Sequence, residues 1–356
     1  MERRTFIKNT SSAGLMGLVM PIIPSFSPLL SELRFGIAEA SYMQRRYRNL
    51  ESKQYPAFTN SLDMIDYSAS IGFGGMQFSV RNWDKDYAKT VRKRVEELEV
   101  FLEGQISLPK NTSDISRFEA EVEAARTAGI DVLRTACLSG RRYETFKTMG
   151  EFQDFKIKAE ASIKMAEPII KKHKIKLAIE NHKDWLIEEM IQLLNGFDRD
   201  WVGVTLDTGN NIALLEDPME VVKALAPYSF SVHLKDMGVE EYEDGFLLSE
   251  INLGEGYLDI DEMVRLIKKS NPDIRFNLEM ITRDPLKIPC LTESYWETFD
   301  GISANQLASF LHGLKKVNSK KPLPEISGDI VDHRLEMETK NNQTSLNYAK
   351  EQLGFT

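Results

Sequence analysis

The chain alternates from its first third to its end between two periodicities. Eight short apolar runs, LRFGIA, GFGGMQFSV, LEVFLEGQI, DVLRTACL, KLAIENH, VGVTLDTGN, SFSVHLKD and RFNLEMIT, are separated by stretches with apolar residues at every third or fourth position. DKDYAKTVRKRVEELE and SDISRFEAEVEAARTAG are two of these, the second ending on Gly129, a usual helix stop. Strand and helix in strict alternation predict parallel βαβ units with right-handed crossovers. Eight units in a chain of 356 residues, the last closing with a helix near Ser303 to Lys316, predict an α/β (β/α)8 barrel over residues 33–318. The rival, a doubly wound open sheet, lacks its usual mark, since no GxGxxG or GxxxxGK[ST] follows any strand. Residues 319–356 begin with the connector SKKPLPEISGD and continue as one polar helix. They read as an extension packed on the barrel, where a homo-oligomer could make its contact.

In such a barrel the chemistry sits at the C-terminal ends of the strands. Here the fifth, sixth, seventh and eighth end on Glu180, Asp207, His233 and Glu279. The two-residue period of a strand puts residues of the same parity on the barrel axis. These are Ala178, Glu180 and His182; Gly203, Thr205 and Asp207; Ser231, His233 and Lys235; Asn277 and Glu279. The opposite parity, including Val204, Leu206, Phe230, Val232, Phe276 and Leu278, is apolar and is expected to face the helices. Three carboxylates gathered at one mouth repel one another unless a cation joins them. Two Glu, one Asp and one His are a nitrogen and oxygen donor set for one divalent ion, Mn, Mg, Co or Zn. Gly209 then lets the backbone turn away after Asp207, and Asn210 presents an amide toward the same mouth.

The motifs AIENH, LDTGN, VHLKD, NLEM and the linking NLGEGYLD, taken in this order, resemble the xylose isomerase-like TIM-barrel superfamily of sugar isomerases, epimerases and related enzymes. The resemblance runs from about Leu33 to Lys316. It implies that Glu180, Asp207, His233 and Glu279 are the metal ligands, and that the two glutamates are the acid/base pair. Many epimerases of this group carry a histidine three residues after the metal aspartate; this chain has Asn210 there. His182 and Lys235 are the residues expected to replace its polar contacts.

This set suits proton abstraction next to a carbonyl, with the metal acting as Lewis acid and Glu180 and Glu279 carrying protons. Lys235 is expected to stabilise the developing oxyanion and His182 to orient hydroxyls. Arg141 and Trp296, which follow the fourth and eighth strands, are candidates for substrate contact, Trp296 as a stacking platform. The expected function is a metal-dependent isomerase or epimerase of an unphosphorylated sugar or keto-sugar. Rivals are a lyase or hydrolase of 3-keto-glycosides using the same site, an endonuclease-type phosphodiesterase, and a non-catalytic carbohydrate-binding protein. The phosphodiesterase needs more histidines than the five present, three of which fall on expected helices.

A net charge of −9 without any basic block argues against a nucleic-acid partner. Cys137 and Cys290 form no CxxC and are expected as free thiols. The start, MERRTFIKNTSSAGLMGLVMPIIPSF, pairs Arg3 with Arg4 ahead of an apolar run broken by Pro21 and Pro24. Residues 1–30 therefore read as a twin-arginine export signal, too short to anchor in a membrane, with a periplasmic destination. Replacing Arg3 and Arg4 together by Lys should hold the protein in the cytoplasm. Fractionation that finds the double variant exported normally would refute that reading.

Overall fold

The computed structural model describes residues 33–300, 302–319 and 322–356. The export-signal segment lies outside them. Eleven strands follow in chain order: β1 Phe35–Ala38, β2 Gly75–Ser79, β3 Phe101–Gln105, β4 Val132–Thr135, β5 Lys176–Glu180, β6 Val202–Asp207, β7 Ser229–Leu234, β8 Asp236–Tyr242, β9 Gly245–Ile251, β10 Arg275–Leu278 and β11 Leu286–Ile288. Eight of them close into a parallel barrel in the order β1-β10-β7-β6-β5-β4-β3-β2. These are the eight expected from the apolar runs. The fold is a TIM barrel.

The helices are α1 Ser61–Ser70, α2 Lys85–Glu97, α3 Ile115–Thr127, α4 Arg142–Thr145, α5 Met149–His173, α6 Ile187–Leu194, α7 Pro218–Leu225, α8 Ile260–Ser270, α9 Ala304–Val317 and α10 Val331–Gln352. Their starts are chemically marked. Asn60, Asp84, Thr148 and Asp217 each accept backbone N–H groups of the first turn of α1, α2, α5 and α7. The outward strand residues Met76, Phe78, Leu133, Ile179, Val204, Leu206, Val232 and Leu278 are fully or almost fully buried beneath this ring.

Glycine makes room inside the barrel floor. A Cβ on Gly36 or Gly75 would fall 2.6 or 2.1 Å from the ring of Phe101, which fills the axis at that level. One inward–outward assignment fails here. The β6–β7 register shifts between Val204 and Thr205, so that Val204 faces Ser229 and Thr205 faces Ser231. The extra residue, Phe230, does not face the helices. Its ring stands where a Gly203 Cβ would be, with the Lys176 ammonium 4.6 Å from its centroid. A bulge reverses the parity of its own residue, and a period-two reading has no means of placing one.

One further feature departs from the sequence reading. The antiparallel sheet β11-β9-β8 grows from the ends of β7 and β10, and no sequence pattern had been assigned to it. The C-terminal helix expected as an extension packed on the barrel is present as α10. It packs over β1 and β10, in the place of the eighth ring helix, while α9 lies against β8. Leu346 and Ala349 of α10 are buried, and Phe355 packs its ring on Phe35 and Phe276 at 4.8 and 5.3 Å. Thr356 N–H donates to Leu33 O, tying the chain end to the entry of β1.

Since α10 covers the seam between the first and last barrel strands, Leu346→Ala should cost about 2–5 kcal/mol, the usual range for emptying a packed leucine site. Chemical denaturation measures this. A chain ending at residue 318 that melts like the full-length protein would contradict the ring assignment.

Candidate metal centre

Glu180, Asp207, His233 and Glu279 come together at the C-terminal mouth of the barrel. One ligand atom from each lies within 4.8 Å of all the others, and all four side chains are buried. The neighbouring strand ends place them: Glu180 closes β5, Asp207 closes β6, His233 is the penultimate residue of β7, and Glu279 follows β10, its N–H still donating to Leu234 O at 3.1 Å.

The segment after β6 explains why the strand can end on an acid. Asp207 Oδ1 accepts the N–H groups of Gly209 and Asn210 at 2.9 and 2.8 Å. That leaves Oδ2 turned to the cluster, where the Lys235 ammonium 2.9 Å away is its partner among the described residues. Asn181 continues the ladder in place of backbone, accepting from Asp207 N–H and donating to Asp207 O. The turn is tight at Gly209, whose Cβ would come within 2.8 Å of Met237.

The imidazole is prepared from below. His233 Nε2 lies 2.7 Å from Gln77 Oε1. The Gln77 amide is oriented by its own donor, which reaches Glu103 Oε2 at 3.0 Å and Ser231 Oγ at 3.2 Å. Glu103 Oε2 also accepts from Ser231 Oγ and Asn277 Nδ2. A carboxylate at one end of this chain of bonds makes Gln77 Oε1 the acceptor, so His233 carries its proton on Nε2. Nδ1 then faces the carboxylates, 3.5 Å from Glu279 Oε1 and 3.6 Å from Glu180 Oε2, with no hydrogen-bond partner among the described residues; against burial, the charges of Glu279 and Glu180 push the imidazole up to about 10, so a metal ion bound here would displace the Nδ1 proton. A buried imidazole nitrogen without a hydrogen-bond partner and a buried carboxylate oxygen met only by an ammonium converge here, and they fit a divalent ion with nitrogen and oxygen ligands.

Cations surround the acids. Arg134, on β4, pairs with Glu180 Oε2. Against the cost of burial, the charges of Arg134 and His233 hold Glu180 well below the usual carboxylate range. Lys235 Nζ sits 2.5 Å from Glu279 Oε2, 2.9 Å from Asp207 Oδ2 and 3.1 Å from Asn210 Oδ1. Against its own burial, Glu279 is held low by Lys235 and His233. Asp207 is pushed up to about 6 by burial, with Lys235 opposing and the two glutamates adding. Glu250, on β9, completes the ring of charge, 2.5 Å from Arg283 and 3.8 Å from Lys235.

A cleft of about 990 Å3 opens above, and Glu279, Lys235, His182 and Arg141 line it. His182 is pushed down to about 3 by burial, and its Nδ1 has no partner. A neutral imidazole is thus offered to the cleft. Arg141 is paired with Glu144 at 2.6 Å. Trp296 is not in the lining; its indole N–H donates to Cys290 O and its ring packs on Tyr295 and Phe299. Asn210 stands behind the wall, donating to Glu180 Oε1 at 2.9 Å and accepting from Lys183 and Lys235. Cys137 and Cys290 are free thiols. Gln77, Glu103, Arg134, Lys183 and Glu250 were not among the sequence candidates. The first three are polar residues at inward parity in apolar strands, a signal the sequence does carry. Lys183 and Glu250 come from a loop and from the small sheet, where no periodicity points to them.

Comparison with known proteins agrees with this architecture. Residues 65–298 match the family model described as Xylose isomerase-like TIM barrel. A 3-oxo-isoapionate decarboxylase of Pectobacterium atrosepticum is 26% identical over 218 residues, covering 59% of this chain and 74% of that protein. A crystal structure of D-psicose 3-epimerase in the presence of D-fructose superposes with a TM-score of 0.59 at 15% identity, over 90% of this chain and 99% of that one. The IOLI protein with a bound zinc atom gives 0.51 at 16% identity, over 80% and 99%.

The donor set should take about one divalent ion per chain, measured by elemental analysis of the purified protein. Asp207→Ala and His233→Ala should each lose it, and retained stoichiometric metal in both would refute the quartet. Gln77→Leu frees the imidazole tautomer while keeping all four ligands. It should weaken metal binding by about 10–100-fold in a chelator competition.

Proposed function

The chain belongs to the Xylose isomerase-like TIM barrel family, and on that premise we propose that it is a divalent-metal-dependent sugar isomerase or epimerase. Its substrate would be an unphosphorylated sugar or keto-sugar, and the chemistry would remove a proton next to a carbonyl. The observation that carries this is the buried quartet of converging ligand atoms, one wall of which, Glu279, opens directly onto the cleft. When bound, a divalent ion supplies Lewis acidity to a carbonyl and a neighbouring hydroxyl oxygen.

The residues of the chain divide the remaining work. Glu279 is the proton carrier, because it alone of the four lines the cleft. Lys235, bonded to Glu279 and Asp207, is a fixed positive charge beside the place where enediolate charge develops. His182, neutral and in the cleft lining, holds a hydroxyl of the substrate. Export through the twin-arginine route would place this activity in the periplasm.

Glu180 is not equivalent to Glu279. Its Oε1 accepts from Asn210 and its Oε2 pairs with Arg134. A carboxylate engaged on both oxygens is a poor second proton carrier. This inequivalence favours a second reading, in which one base and the same enediolate serve loss of another group, as from a 3-keto-glycoside. Support for it comes from the decarboxylase relative, since loss of carbon dioxide from a 3-oxo acid leaves an enolate at the same position as loss of a proton.

Proton exchange followed by NMR in deuterated water tests the assignment. Glu279→Gln should lower exchange next to the carbonyl by about 10²–10⁴-fold with metal still bound, the loss usual for a general base. Glu180→Gln should keep that exchange to within about tenfold once excess metal restores occupancy. Near-wild-type exchange in metal-loaded Glu279→Gln would remove this residue from the mechanism.

A further inference from the structure

The cleft above the quartet is cationic in a chain whose net charge is −9. Seven lysine and arginine side chains line it against two glutamates. Most of the cations are already paired: Arg134 with Glu180, Arg141 with Glu144, Arg283 with Glu250, and Lys235 with Asp207 and Glu279. Lys183 is different. It is 4% exposed and lines the cleft; among the described residues it makes no ion pair, and its one hydrogen bond goes to the amide oxygen of Asn210.

An ammonium has three protons to give. Lys235 directs its own at Asp207, Glu279 and Asn210. Lys183 uses one and has two left beside open cleft. A buried charge with only an amide for partner is costly, and chains keep such groups where something else completes them. The backbone is bent to bring it there. Lys183 has φ +85°, a left-handed conformation that favours glycine, and Arg142 N–H donates to its carbonyl at 3.0 Å. Burial, followed by the charges of Lys235 and Arg283, pushes the ammonium down to about 7, with the more distant Glu250 and Asp207 opposing.

We propose that Lys183 is the anion-recognition residue of the substrate cleft and that the substrate is a sugar acid, whose carboxylate binds the two free protons of its ammonium. The exposed lysines Lys110 and Lys158, also in the lining and without ion pairs among the described residues, draw such a substrate toward the mouth. A phosphate monoester carries more charge and is usually met by guanidinium forks. All three lining arginines already hold carboxylates. A single buried ammonium fits the single charge of a carboxylate. This inference rests on the catalytic reading above and names the class of substrate for it.

Calorimetric titration of the manganese-loaded full chain with D-gluconate, D-galacturonate, D-glucose 6-phosphate and D-glucose tests the proposal. The two acids should bind at least about tenfold tighter than D-glucose, the phosphate should gain no such advantage, and Lys183→Met should remove the acid preference while leaving D-glucose unchanged. The ligand-free Lys183→Met protein should also melt a few degrees higher than the native chain, because an uncompensated buried charge has been replaced by a side chain of similar length. A lower melting temperature would make Lys183 a structural support for Asn210 and overturn the proposal. So would an acid preference retained in the variant, a preference for the phosphate, or failure of both acids to bind. Proton exchange on neutral keto-sugars without any acid preference would sink this inference and leave the catalytic reading standing. Acid binding lost in Lys183→Met, with no exchange on any substrate, would do the reverse.

Discussion

Three carboxylates and an imidazole share one buried spot at the top of the barrel, and the surrounding structure is arranged around that fact. Like charges at such distances in a dry interior are untenable without a cation. Arg134 and Lys235 answer part of the demand by pairing with Glu180 and with Asp207 and Glu279. The rest is left open in a specific way. Among the described residues, one nitrogen of His233 has no hydrogen bond and one oxygen of Asp207 meets only the Lys235 ammonium, while the other polar atom of each is tied down by Gln77 and by the turn at Gly209. An accidental cluster of acids has no reason to keep these atoms convergent and its other atoms fixed.

The middle of the barrel serves the same end. Gln77, Glu103, Ser231 and Asn277 meet beneath the quartet as a closed polar layer where apolar filling would be expected. Burying a carboxylate here is unfavourable, and burial raises the Glu103 pKa, with Arg275, 3.8 Å away, opposing. What it obtains is the orientation of a single amide, and through that amide the tautomer of His233. Fold stability and site chemistry are thus coupled through inward-facing residues of β2, β3, β7 and β10.

The two glutamates show how position in the tertiary structure divides chemically identical groups. Both end strands, both are buried, and both are held as carboxylates against the cost of burial. Glu180 is enclosed by Arg134 and Asn210, whereas Glu279 meets Lys235 and faces the cleft. Replacement of an expected histidine by Asn210 acts in the same direction. Its small amide gathers two ammonium groups and Glu180 into one network, and this frees the protons of Lys183 for the cleft.

By itself, the sequence determined the barrel and the place of the quartet. Both follow from periodicity, since an apolar run of period two read against helical spacing fixes which face of each strand is inward, and strand ends in a parallel barrel all lie at one mouth. Gln77, Glu103 and Arg134 were within reach of the same reasoning, as polar residues on inward faces. Tertiary structure alone decided the rest. The bulge that turns Phe230 inward, the seating of α10 over β1 and β10, and the arrival of Glu250 from β9 are packing outcomes between segments far apart in the chain. Which glutamate faces the cleft, and which lysine is left without a counter-charge, depends on distances of a few ångströms between loops. No local pattern encodes such distances, because they are set by how the whole ring of strands and helices closes.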